Sequence, residues 1–123
     1  MLFVNGLPLV VVELKNAGSE NATIKTAHQQ IETYKQVVPA LFHTHAFSVI
    51  SDGLEARAGS LSAGLSRFMA WKSADGQAEA SHLVSLLETL ILGLLAPAML
   101  LDVLRHFIVF EKARRVDPDT GQV

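Results

Sequence analysis

Leu2-Phe3-Val4-Asn5-Gly6-Leu7-Pro8-Leu9-Val10-Val11-Val12-Glu13-Leu14-Lys15 is the stretch that decides the fold. Two β-prone runs flank Asn5-Gly6, the pair that best suits a tight hairpin turn whose central residues need positive φ. The second run is a nearly continuous valine tract, the pattern of a strand covered on both faces by helices. Moving outward, residues 16–19 break the strand. Asn21 or Thr23 can then cap a helix carrying Ile24, Ala27, Ile31, Tyr34 and Val38 at helical spacing. Pro39 ends that helix. Ala46-Phe47-Ser48-Val49-Ile50 reads as a third strand and Ser51-Asp52-Gly53 as a turn, with residues 56–60 and 68–71 as weaker strand candidates. Strand, strand, helix, strand describes an α/β layer.

Composition agrees with a folded chain. Half of the 123 residues are hydrophobic, enough to bury a core, and ten basic against twelve acidic side chains exclude a general polyanion-binding tail. There is no cysteine, hence no disulfide framework and no thiolate zinc site. The run from Leu7 to Val12 lacks a basic flank and ends at Glu13, so it is a strand and not a signal peptide. The longest uncharged apolar stretch, residues 89–101, contains Pro97 and is too short to span a bilayer.

The polar, glycine-containing segment Ser73-Ala74-Asp75-Gly76-Gln77 lies between two apolar regions, and residues 73–80 are expected to form a linker. Charge changes there too: residues 1–72 carry six basic and five acidic groups, residues 73–123 four and seven. Beyond the boundary, Leu83, Leu86, Leu87, Leu90, Ile91 and Leu94 form the apolar stripe of an amphipathic helix. Pro97 suits the first turn of another, with Leu100, Leu101, Leu104 and Phe107 along its inner face. Residues 81–123 are thus expected to be a helical segment whose apolar faces need a partner. Self-association into a homo-oligomer is the expected remedy.

Glu13-Leu14-Lys15 carries the first chemical signal. Alternation puts Glu13 and Lys15 on one face of the strand and Leu14 on the other. An exposed ion pair at a strand end is one reading of the motif. The other is a nuclease site, in which a carboxylate holds Mg²⁺ and an adjacent ammonium stabilises phosphorane charge or positions the attacking water. Gln30 and Tyr34, four apart on one face of the following helix, can aim an amide and a phenol at a phosphate-sized space. His43-Thr44-His45 lacks a third ligand at familiar spacing and suits a loop better than a metal site. Ser51-Asp52-Gly53 suits a tight turn better than a nucleophile. Arg57, Arg67 and Lys72 suit DNA phosphates or solvated strand ends equally. Lys112, Arg114 and Arg115 read as a basic helix end.

In order and spacing, residues 2–16, Gln30-x-x-x-Tyr34-Lys35, Pro39-x-Leu41-Phe42, Ser51-Asp52-Gly53-x-x-Ala56-Arg57 and Arg67-Phe68-x-x-Trp71 resemble the nuclease domain of the restriction (R) subunit of Type I restriction enzymes. Leu94-Leu95-x-Pro97, Leu100-Leu101-Asp102 and Phe107-Ile108-Val109-Phe110-Glu111 resemble the segment that leads toward that family's helicase motor. The resemblance implies a restriction-endonuclease-like, PD-(D/E)xK sheet with flanking helices, Mg²⁺-dependent cleavage of DNA, and ATP used only by a motor in the parent subunit. It implies cytoplasmic location and two protein partners, the specificity and modification subunits. By position, Glu13 and the Leu14 carbonyl would hold metal, Lys15 would be the catalytic lysine, and Gln30 with Tyr34 the accessory motif. The pattern's first metal-binding Asp, on the strand before the hairpin, falls ahead of Met1. Residues 1–72 are therefore expected to be an N-terminally truncated nuclease domain, inactive alone. The alternative is a non-catalytic α/β interaction module or the remnant of a decayed restriction gene.

Overall fold

The computed structural model describes residues 1–16, 18–20, 23–75, 79 and 85–109. Its centre is a four-stranded sheet with strand order β1 (Leu2–Val4), β2 (Leu7–Leu14), β3 (Phe47–Ser51) and β4 (Ala56–Ser60). β1 and β2 form the expected hairpin. Asn5 and Gly6 take φ of 49° and 77°, the left-handed pair that a two-residue turn demands. β2 runs parallel to β3, from Val10 opposite Phe47 to Leu14 opposite Ser51, and β3 runs antiparallel to β4. A parallel pair needs a crossover, and helix α1 (Ile24–Val37) supplies it. Thr23 caps α1 by accepting from the Thr26 amide, and the Thr26 hydroxyl oxygen accepts from the Thr23 amide in return. The alternative cap, Asn21, lies outside the described residues. Pro39 does not merely stop the helix; it opens a short 3-10 turn, Pro39–Phe42.

Alternation along β2 sorts the core into two clusters. Val11 joins Ile24, Ala27, Ile31, Phe42, Ile50 and Phe68 on the α1 side. Val10, Val49 and Ala56 meet Leu90, Leu94 and Leu100 on the other. These leucines come from α2 (Leu86–Leu92), the turn after it, and α3 (Pro97–His106), so the described part of the second half folds back over the sheet. That covering removes most of the physical basis for the expected self-association, although Ile91, Leu92, Leu101 and Phe107 remain exposed. The strand buried along its whole length is β3, not the valine-rich β2.

Residues 68–71 form no strand. Met69 makes one antiparallel bridge to Ala58, while the Phe68 ring turns over Gly59 into the α1-side cluster. Leu83, Lys112, Arg114, Arg115 and half of the expected linker, residues 76–78 and 80, lie outside the described residues. Ser73, by contrast, accepts a hydrogen bond from the Trp71 indole, and both groups abut Gly93 at the end of α2. Among the described residues no single helix is long and apolar enough to cross a membrane, and α2 and α3 are bent by 80° at their junction.

Candidate functional site

β2 places Glu13 and Lys15 two and four residues beyond Val11, and hence on its face, the face covered by α1. Lys15 Nζ lies 2.9 Å from Glu13 Oε1, and the two side chains are only 27% and 14% exposed. This is a shielded pair and not two solvated charges at a strand end. Backbone pairing continues past the pair, since the Lys15 amide donates to the Ser51 carbonyl at 2.9 Å. The strand end is thereby fixed, and Leu14, of opposite parity, points away and is exposed.

α1 runs back along the sheet. Its far end leads to Thr44 and Ala46, which bond the Pro8 and Leu9 carbonyls at the start of β2. One flank of α1 faces the segment that follows β4: His28 Nε2 lies 3.3 Å from the Ala63 carbonyl, and Lys35 donates to the Leu61 carbonyl. Gln30 projects from the opposite flank by helical geometry, with Tyr34 nearer the sheet and packed against the α1-side cluster. A rise of 1.5 Å per residue sets Gln30 about 9 Å, and Tyr34 about 15 Å, along the axis from Ile24. Because α1 runs back toward the start of β2, these steps lead away from the Glu13–Lys15 end of the strand. Among the described residues neither bonds to that pair.

The remaining candidates separate clearly. Ser51 and Asp52 build the β3–β4 turn: the Ser51 hydroxyl donates to the Glu55 carbonyl at 2.7 Å, and Asp52 Oδ1 accepts from the Leu54 and Glu55 amides at 3.0 and 2.8 Å. The hydrogen bond donated by the Glu55 amide, above all, holds the Asp52 carboxyl below its ordinary range. Gly53 supplies the positive φ. Arg57 pairs with Glu55 at 2.8 Å. Arg67 is exposed at the end of a 3-10 turn. Lys72 pairs with Glu79 at 3.5 Å in the open. His43 is exposed, whereas His45 is buried with Nε2 2.8 Å from Ser48 Oγ and, among the described residues, no partner for Nδ1. Burial first, then the Lys35 charge, pushes the His45 pKa down to about 4. His45 does lie in the expected loop before β3, but its burial, set by Phe42 and β3, has no signal in the sequence.

For a metal, the α1 face offers the Glu13 carboxylate, with the Leu14 backbone carbonyl beside it. Among the described residues no three His, Cys, Asp or Glu side chains cluster as ligands. Mg²⁺ can be held by one or two carboxylates with several waters, so this donor set fits a weakly held ion. An apolar recess lined by Phe47, Met69, Trp71, Leu94 and Phe107 lies on the opposite face of the sheet and has no part in this site.

Fold and site together define a small α/β domain with a shielded acid–lysine pair at the carboxyl end of a central parallel strand, beneath the crossover helix. Residues 1–67 match the family model described as Type I restriction enzyme R protein N terminus. The chain belongs to that family. It is 46% identical over 112 residues to the Type I restriction enzyme HindI endonuclease subunit of Haemophilus influenzae, covering 89% of this chain and 11% of that protein. It is 26% identical over 130 residues to the MjaIXP endonuclease subunit assigned to type I restriction enzymes in Methanocaldococcus jannaschii, covering 93% and 12%. The chain therefore spans about a tenth of the length of these curated relatives. No solved structure matches it.

Proposed function

We propose that this chain is the nuclease portion of the restriction subunit of a Type I restriction enzyme and cuts DNA through the Glu13–Lys15 pair. The observation that carries the reading is the placement of that pair, shielded and in contact, at the end of β2 in a chain of the restriction-subunit family. The sheet is read as restriction-endonuclease-like, of the PD-(D/E)xK kind, with Mg²⁺ at Glu13 and the Leu14 carbonyl. When bound there, the ion would supply Lewis-acid charge at the scissile phosphate and acidify a water. Glu13 holds the Lys15 ammonium in place, and Lys15 offers three donors and a positive charge to the phosphate oxygens as charge accumulates on them. Gln30 and Tyr34 donate to the substrate strand from the helix above.

In the parent subunit, ATP-driven translocation would deliver DNA to this site, and separate specificity and modification subunits would select the target. A second reading rests on Glu13 being the one side-chain carboxylate at the site among the described residues: a non-catalytic α/β interaction module, or the remnant of a decayed restriction gene. Substituting this chain for the matching segment of the HindI endonuclease subunit separates the two. The hybrid is expected to nick supercoiled plasmid only with Mg²⁺, and Glu13→Ala to abolish nicking. Nicking that persists in Glu13→Ala would overturn the assignment.

A further inference from the structure

The strand register carries one residue from the far side of the sheet into the same row as Glu13. Glu13 pairs with Ile50 on β3, and Ile50 pairs with Arg57 on β4. Ile50 packs into the α1-side cluster, while Ala56 and Ala58, on either side of Arg57, pack into the opposite one. Arg57 therefore shares the face of Glu13 and Lys15. Two strand spacings separate Glu13 from Arg57, about 10 Å between backbones.

We infer that Arg57 is a phosphate clamp, binding a DNA backbone phosphate close to the one that Glu13 and Lys15 act on. The inference rests on the nuclease reading and adds to it a named contact. Three features support it. The guanidinium is preset by Glu55, at 2.8 Å, yet both members of the pair stay accessible, at 37% and 46%. An accessible pair of this kind costs little to open, whereas a guanidinium binds phosphate through two parallel hydrogen bonds. Glu55 itself is fixed, because Ser51 and Asp52 bond its carbonyl and amide across the turn.

The test is the salt dependence of duplex binding by this chain, read by fluorescence anisotropy with a labelled 20-base-pair duplex in EDTA. One lost phosphate contact lowers the slope of log affinity against log salt by about 0.9. Arg57→Ala is expected to show that loss with about three- to tenfold weaker binding, and Arg57→Lys to keep the slope. Lys72→Ala, beside Trp71 of the opposite face, is expected to leave the slope unchanged. A wild-type slope in Arg57→Ala, or an equal loss in Lys72→Ala, overturns the clamp while leaving the nuclease reading standing. A wild-type chain that binds no duplex overturns both.

Discussion

Replacing Gly93 by alanine tests whether the second half of the chain belongs to the same core as the first. Gly93 is buried where α2 ends, and a Cβ there would overlap the Ser73 carbonyl oxygen and the Trp71 indole nitrogen. These two atoms are hydrogen-bonded to each other, so neither can withdraw without breaking that bond. Overpacking costs typically 1–3 kcal/mol, and a shift of α2 that wets part of Leu90 or Leu94 adds about 1 kcal/mol more. The sum, about 2–4 kcal/mol, lowers the melting temperature of a domain this size by about 8–15 °C. Trp71 is the single tryptophan of the chain, so its emission reports the same contact. Circular dichroism melts and emission spectra of Gly93→Ala are expected to show the drop together with a red shift. A melting temperature within 2 °C of wild type with unchanged emission would refute the packing of α2 on this corner.

Three further outcomes follow from the same structure. His45 is held neutral by burial, with its pKa lowered to about 4 from 6.5, so the unfolded chain takes up a proton first as pH falls. Stability present above pH 6.5 is therefore lost between about 6.5 and 4, on the order of 2–3 kcal/mol, and urea midpoints of His45→Gln should be flatter across that window; an equal slope would contradict this. Thr23→Ala removes the hydroxyl that accepts from the Thr26 amide at the start of α1 and should cost about 1 kcal/mol, with Thr23→Ser near wild type in thermal melts. Isothermal titration of this chain should give Mg²⁺ affinity no tighter than about millimolar. Micromolar affinity surviving Glu13→Ala would show that the ion sits elsewhere.

The hairpin, the crossover helix and the β3–β4 turn were legible because local chemistry specifies each: Asn5-Gly6 for positive φ, Thr23 for the cap, Ser51-Asp52-Gly53 for side-chain-pinned backbone. β3 was legible as a strand, but its complete burial depends on being sandwiched between β2 and β4, a property of register. Residues 68–71 misled because an aromatic-rich run suits a strand. In the fold Phe68 instead fills space that only Gly59 leaves open. The leucine stripe showed that α2 and α3 carry apolar faces but not what covers them, since their return over the sheet hangs on the long-range fit of Trp71, Ser73 and Gly93. For the site, Glu13 and Lys15 could be placed on one face by alternation alone. Their shielding, and the row linking Glu13 to Arg57, required the pairing of three strands.

The most direct measurement of the central claim uses the hybrid HindI subunit described above, assembled with its modification and specificity subunits, and follows DNA cleavage and ATP hydrolysis in the same reaction. If the pair on β2 performs the cut, Lys15→Ala abolishes cleavage and leaves DNA-dependent ATP hydrolysis at the unsubstituted hybrid's rate. Cleavage by Lys15→Ala at the unsubstituted rate would contradict the account.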